Sequence, residues 1–419
     1  MSKKHLIIIS VDALVGEDLE NLSELPNFRK MIENGSFTKN IITIYPSLTH
    51  AVHASIITGQ PAGITGVTEN TRFTPGEKDM PWFNEYSEIK CETILELAHR
   101  AGLVTASCRW PVTAHGNEFV DYLVPEIMGA DMEEAGGDWR KAYEKVGTTP
   151  CLMDMIGRAV KKHGAALSHP IYDEVQIDCV CEIIKTYKPN LLLTHPGFVD
   201  GERHRTGLFS EFVKSGVKKS DEWVGRIMDA AKEAGIYDDT DFIVLSDHGH
   251  LPYKYCVNLN GFLVKEGLIR LDAEGKIKDW DVYAQSCDLS NHIYLKNPED
   301  TALRMRVETL FDKWIKEDTC GIESYITAAE AEKRFGLTGG FSYVLESKEG
   351  YTFEDDWREP LIYENPPVSE GLGHSAHGHL PNKGPKPVFI GFGPSFKKEC
   401  IDGGDILDCF NVFKRVLGL

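Results

Sequence analysis

HLIIISVDAL, residues 5–14, sets a short, apolar, β-branched run just ahead of an aspartate, Asp12. A run this short and bounded by polar groups reads as a strand. Because it is apolar at successive rather than alternate positions, it reads as a strand buried on both faces. NLLLTH at 190–195, DFIVLSD at 241–247 and PVFIGFG at 387–393 share the pattern. Helical patterns lie between them, among them LPNFRKMIENG, ending at the cap residue Gly35, and FSEFVKSGVKKSDEWVGRIMDAAKEAG, ending at Gly235. This alternation predicts an α/β fold, a mostly parallel sheet with helices on both faces, and all four runs are expected to lie parallel.

Between about 252 and 370 the rhythm changes to VNLNGFLVKEGLI, NHIYLK, the charged helix RMRVETLFDKWIKE and the loop-rich YTFEDDWREPLIYENPPVSEG. PVFIGFG and the terminal helix DILDCFNVFKRVLG then return to the first style. The expected organisation is a core of residues 1–251 and 371–419, interrupted by a smaller α+β cap at 252–370.

The composition, 42% apolar and 26% charged over 419 residues, excludes collagen-like, low-complexity and disordered classes. A net charge of −19, with no basic stripe interleaved with aromatics, argues against polymeric nucleic acid as a partner. A small phosphorylated substrate stays compatible, provided metal ions bring positive charge to the site. The apolar run of MSKKHLIIISVDALVG ends at Asp12 with no cleavage site after it, and no apolar stretch is long enough to span a bilayer. The ten cysteines are scattered without a CxxC pair and read as reduced thiols. The expectation is a cytoplasmic protein with no membrane helix and its oligomeric state open.

Four strand-end segments carry metal-ligand chemistry. Asp12 follows the first strand, at the carboxyl end where open α/β sheets collect ligands, although an aspartate there also caps turns. Asp200 and His204, in HPGFVDGERHRTG, are four apart and share a face if this segment turns helically; a chance pair on a solvated loop is the plain reading. Asp247 and His248 open VLSDHGH, where Gly249 allows an unusual backbone. GHSAHGHLPNK packs His374, His377 and His379 into one short segment, either a metal site or a His-rich surface loop. Two metals held by carboxylates and imidazoles suit zinc, with manganese or iron as alternatives, better than calcium or magnesium. A two-metal site serves a reaction with an attacking and a leaving oxygen. YPSLTHAVHASIITG, residues 45–59, supplies the attacker: the hydroxyl of Thr49, a weak nucleophile until a metal lowers its pKa, at the start of a helix whose dipole favours an anion.

VDAL, PSLTHAVHASIITGQPAGITGVTEN, DGERH, SDHGH and HSAHGH, in this order along the core, resemble the alkaline phosphatase superfamily, most closely its nucleotide pyrophosphatase/phosphodiesterase branch. The resemblance implies an alkaline phosphatase-like core. It implies one metal on Asp12, Thr49, Asp247 and His248, and a second on Asp200, His204 and His377. It also implies Asn70 as the donor to the phosphoryl oxygen. Two stretches depart from the branch. His50-Ala51-Val52-His53 replaces Phe-Pro-Asn-His after the nucleophile, and Gly378-His379-Leu380-Pro381 replaces Gly-Tyr-Asp-Asn, so leaving-group recognition does not carry over. His53 matches the family histidine as a supporting group, and His50 is a candidate to face the pocket. Trp110-Pro111 resembles a family Trp-Pro step or is plain core packing. The expected function is a two-metal phosphoryl-transfer hydrolase of phosphodiesters or nucleotide pyrophosphate links, passing through a phosphothreonine. Phosphonate hydrolysis of the phosphonoacetate type and phosphomonoester hydrolysis are the alternatives within the superfamily. Monoester hydrolysis would favour an arginine beside the phosphate; none lies next to Thr49 or Asn70, and Arg109 and Arg203 are read as lying in loops. A non-catalytic metal-binding protein is the alternative outside it.

Overall fold

The computed structural model describes residues 4–77 and 80–419, so Met1–Lys3, part of the opening read for a targeting signal, lie outside it. Eight strands form the main sheet in the order Glu399–Cys400, Ser36–Thr38, Phe389–Phe392, Thr240–Leu245, His5–Ser10, Leu191–Thr194, Thr105–Cys108, Tyr122–Val124. His5–Ser10 lies mid-sheet, parallel to Leu191–Thr194 on one side and to Thr240–Leu245 on the other. Its continuous apolarity follows from two cores. Ile7 and Ile9 face one apolar layer, Leu6 and Ile8 the other. Helices Pro26–Asn34, Ile171–Tyr187 and Glu211–Glu233 cover the first face; Thr49–Ile56, Ile94–Arg100 and Cys409–Leu417 cover the second. The fold is a mixed α/β architecture with a large, mainly parallel sheet.

One of the four expected parallel strands is antiparallel. Phe389–Phe392 pairs in that sense with both Thr240–Leu245 and Ser36–Thr38. A parallel neighbour needs a crossover, usually helical, to bring the chain back to the starting edge. The chain instead leaves His377 at the carboxyl end of the parallel strands and enters Phe389–Phe392 with no helix between, so it must run the other way. Gly35 caps the helix Pro26–Asn34 as expected. Its φ of −134° is extended, and glycine is required because a Cβ would lie 2.1 Å from the Gly391 carbonyl oxygen.

Residues 282–347 add an antiparallel sheet of Val282–Cys287, Ser290–Leu295, Tyr343–Ser347 and Ile322–Thr327, backed by the helix Thr301–Glu317. A further sheet is built on Leu251–Asn258, which pairs with Gly350–Glu354, Ile362–Glu364 and His374–Ala376. The last pairing positions the site: Ala376 lies opposite Leu251, so the next residue outward on each strand, His377 and His250, arrive side by side. Their ring centroids are 5.2 Å apart. Among the described residues no helix is long and apolar enough to cross a membrane.

Candidate active site

The helix Thr49–Ile56 begins at Thr49 itself, with Leu48 in the capping position and no side-chain cap. The threonine hydroxyl is therefore free of the capping role, and Oγ1 lies 3.1 Å from His248 Nε2. The same nitrogen is 3.2 Å from Asp247 Oδ2 and 3.5 Å from Asp12 Oδ1. Asp12 and Asp247 are delivered by the carboxyl ends of adjacent parallel strands and are locked together where the Ala13 amide donates to Asp247 Oδ1 at 3.1 Å. Gly249 is needed here for close approach, since a Cβ would meet the Pro385 carbonyl oxygen at 2.1 Å, and not for the unusual backbone that the sequence suggested.

Asp200 and His204 sit on the helix Phe198–Thr206, and their spacing puts both on one face, Nε2 to Oδ1 3.5 Å. His377 completes this side, its ring stacked on His248 with centroids 3.9 Å apart. Donor atoms of Asp12, Asp247 and His248 cluster within 4.8 Å of one another, as do those of Asp200, His248, His250 and His377. His374 and His379 stay outside these clusters: His374 Nδ1 bonds the His204 carbonyl, and His379 Nδ1 lies 3.2 Å from Ser47 Oγ. Asn70 Oδ1 accepts the His50 amide at 2.9 Å, which fixes the side chain so that Nδ2 is its outward donor. His53 supports the floor, Nδ1 donating to the Thr49 carbonyl at 2.7 Å with its other nitrogen 2.8 Å from Ser10 Oγ. Trp110 is core, packed edge-on against His53.

The residues the sequence reading passed over are His250, Asp288, His195 and Glu126. His250, fully buried, places Nε2 2.7 Å from Asp200 Oδ1. Asp288, in the turn between Cys287 and Ser290, points Oδ2 to 3.7 Å from His377 Nε2. His195 Nε2 lies 3.3 Å from Asp12 Oδ2. Glu126 Oε2 is 3.6 Å from His50, whose ring also packs on Trp82. Only His250 carried a local signal, lying two positions from His248, where an extended segment returns to the same face.

The charge arrangement asks for cations. Burial raises the Asp12 carboxyl well above its ordinary value, with Asp200 and Asp247 adding to it, and burial raises Asp247 to about 7. Burial opposes ionisation at Asp200 too, but the neighbouring groups, His204 foremost, outweigh it and hold the carboxyl well down. The histidines are turned the same way. His377 Nδ1 donates to the Ser47 carbonyl at 2.9 Å and His195 Nδ1 to the Ser10 carbonyl at 3.1 Å. In neutral rings this leaves Nε2 of each as a bare lone pair facing a carboxylate, the orientation of a metal-ligating imidazole. Asp12 Oδ1, Asp247 Oδ2 and His248 Nδ1 are buried without a hydrogen-bond partner among the described residues. An uncompensated buried carboxylate costs several kcal/mol, so the donor set fits divalent cations.

Neither candidate arginine is free for substrate. Arg109 is buried against Asp173, Gln176 and Glu126. Arg203 lies on the helix, not in a loop; Nε donates to the Ala13 carbonyl at 3.0 Å and its guanidinium pairs with Asp18.

Comparison with known proteins bears on the family and the fold. The family described as type I phosphodiesterase / nucleotide pyrophosphatase matches residues 6–379. Human ectonucleotide pyrophosphatase/phosphodiesterase family member 1 is 23% identical over 435 residues, covering 99% of this chain and 40% of the relative, and the rat protein of the same name gives the same figures for identity and coverage. The chain thus spans well under half the length of these curated relatives. Among solved structures, murine ectonucleotide pyrophosphatase / phosphodiesterase 5 superposes with a TM-score of 0.67 at 17% identity, over 100% of this chain and 95% of that one. An inactive form of the murine protein, solved in complex with AMP, gives the same TM-score at 16% identity, over 100% of this chain and 96% of that one.

Proposed function

The chain belongs to the type I phosphodiesterase / nucleotide pyrophosphatase family, and from that premise we propose that it is a two-cation hydrolase of small phosphodiesters or nucleotide pyrophosphate links, with Thr49 as nucleophile. One observation carries the reading: Thr49 Oγ1, uncommitted to a cap, faces His248 among buried, unpartnered carboxylate oxygens. Asp12, Thr49, Asp247 and His248 would hold one ion, and Asp200, His204 and His377 the other. When bound, two divalent transition-metal ions, zinc by this donor mix with manganese or iron as alternatives, supply the Lewis acidity that acidifies the hydroxyl and neutralises charge on the reacting oxygens.

Thr49 Oγ1 loses its proton to solvent and bonds to phosphorus in line with the leaving oxygen. The P–O bond to that oxygen breaks, leaving a phosphothreonine. Water then attacks the same phosphorus from the vacated side, and the bond to Thr49 breaks to restore the hydroxyl. Asn70 Nδ2 and the Thr49 amide would donate to the non-bridging oxygen, a contribution of about 3 kcal/mol in comparable sites. Residues 252–370, as a cap, would wall the second ester group.

The commitment of Arg109 and Arg203 elsewhere favours a diester, which carries one less charge than a monoester dianion. The AMP complex of the murine structural neighbour supports a nucleotide-like substrate, and the net charge of −19 opposes a polymeric one. The test is a panel of nitrophenyl phosphodiester, phosphomonoester and phosphonate substrates with added zinc or manganese. The diester should lead the monoester in kcat/KM by at least about tenfold, or roughly 1.4 kcal/mol. Equal or faster monoester or phosphonate turnover would overturn the diesterase assignment.

A further inference from the structure

A second buried group of ligand-type side chains shares no residue with the clusters just described. Glu69 precedes Asn70, Cys287 ends one strand of the antiparallel sheet and His292 lies on the next, and their donor atoms fall within 4.8 Å of one another. All three are buried, His292 at 0% exposure. Cys287 Sγ lies 2.6 Å from Glu69 Oε2, and His292 Nδ1 lies 3.6 Å from the same oxygen. Neither nitrogen of His292 has a hydrogen-bond partner among the described residues, although a buried imidazole ordinarily satisfies at least one. The ring is held flat against Phe341, centroids 4.4 Å apart, so its direction is set by packing. Glu69 Oε1 accepts the Asn70 amide at 3.2 Å, leaving Oε2 to the thiol and imidazole.

We propose that Glu69, Cys287 and His292 form a third cation site, which takes one zinc-class ion as a clasp between the antiparallel sheet and the loop carrying Asn70. Thiolate, imidazole and carboxylate together are a zinc donor set, and two anions cancel the charge of one dication. On binding, the thiol proton leaves to solvent as the sulfur–metal bond forms, and the carboxyl gives up any proton it holds. The Cys287–Glu69 hydrogen bond is replaced by two metal bonds, and the pair opens by about 1 Å to the separation of tetrahedral ligands. His292 is ready as a neutral ligand, since burial lowers its pKa to about 3. Glu69 also lines a cavity of about 500 Å³ with Thr68, Thr71, Phe73 and Tyr294, a source of water for the fourth position. Because Glu69 holds the Asn70 backbone and Asn70 holds the His50 amide, the clasp would stiffen the start of the nucleophile's helix.

Cobalt(II) distinguishes this site from the other two, whose expected ligands include no cysteine. The 419-residue chain, stripped with chelator and titrated with cobalt, should show a near-ultraviolet thiolate-to-cobalt charge-transfer band and hold three ions per chain. Cys287→Ser should lose the band and one ion while keeping its circular dichroism. His292→Gln, which retains the thiol, should weaken cobalt binding at the band at least tenfold. Thr49→Ala should keep the band, so the clasp is scored independently of the nucleophile assignment. A wild-type protein with no such band, or a band of full strength in Cys287→Ser, would overturn the proposal.

Discussion

His250 is the residue whose replacement most sharply tests the charge arrangement of the site. Its Nδ1 lies 3.1 Å from Ser375 Oγ, and the single proton of that hydroxyl is donated to the Arg203 carbonyl at 2.8 Å. Ser375 must therefore accept from His250, and in a neutral ring the Nε2 facing Asp200 at 2.7 Å carries a lone pair. Burial lowers the pKa of His250 well below its ordinary value, so a proton is an expensive bridge between the two and a metal ion a cheaper one. His250→Ala should then weaken the ion on the Asp200 side and leave the ion on the Asp12 side nearly untouched. Removing a group that orients or joins a metal's ligands typically costs 10–100-fold in affinity, or about 1.4–2.8 kcal/mol. Competition of the purified variant against a fluorescent zinc chelator resolves the two affinities, and circular dichroism checks the fold. Ser375→Ala, which keeps the ring, should lose less. Two unchanged affinities in a folded His250→Ala protein would refute the reasoning, because the 2.7 Å contact would then bear no relation to a cation.

Three further outcomes are expected. Thr49→Ala should abolish turnover with the fold intact while Thr49→Ser keeps part of it; substantial turnover by the alanine variant would make water the nucleophile. Metal analysis of protein never exposed to chelator should find at least two transition-metal ions per chain, and Asp247→Asn should lose one or more; finding none in the wild type would sink the site. Asn70→Ala should lower kcat by about 10²–10³-fold, the usual cost of an oxyanion donor, with ion content unchanged; a change confined to KM would show that Asn70 binds ground state and transition state alike.

The parts of this molecule legible in the sequence are those whose cause is local. HLIIIS must be buried on both faces because it has no polar side, and Ile7 and Ile8 do point into opposite cores. Asp200 and His204 share a face because helical spacing requires it. Strand direction is different. PVFIGFG is as apolar as a parallel strand would be, and its sense is set by the short path from His377, which the run itself does not encode. Asp288 was invisible for the same kind of reason. It is an ordinary turn aspartate, brought to His377 only by the pairing of sheets built from distant segments. Cys287 and His292 look like strand residues in isolation, and Glu69 looks like the neighbour of Asn70; the fold alone makes them a group.

Charge also links the substrate preference to the architecture. On the two-cation reading, Asp12, Asp200 and Asp247 with the Thr49 alkoxide carry four negative charges, which two divalent ions cancel. A diester then adds one negative charge to a neutral centre, and a monoester dianion adds two. The extra charge needs a cation, and the buried arginines Arg203 and Arg109 are already bound into the scaffold, Arg203 tying the Phe198–Thr206 helix to Ala13 and Asp18, Arg109 tying Glu126 to Asp173. Moving either guanidinium toward a phosphate would leave a buried carboxylate unpaired, which costs about 3–5 kcal/mol, more than the 1.4 kcal/mol that a tenfold gain in monoester turnover requires. Asp288, a partly exposed carboxylate on the His377 side, adds repulsion against a second charge there. The residues that hold the Asp200 and Asp12 segments in place are thus the same ones that withhold positive charge from the substrate, and the preference for a singly charged phosphorus centre follows from how the scaffold is held together.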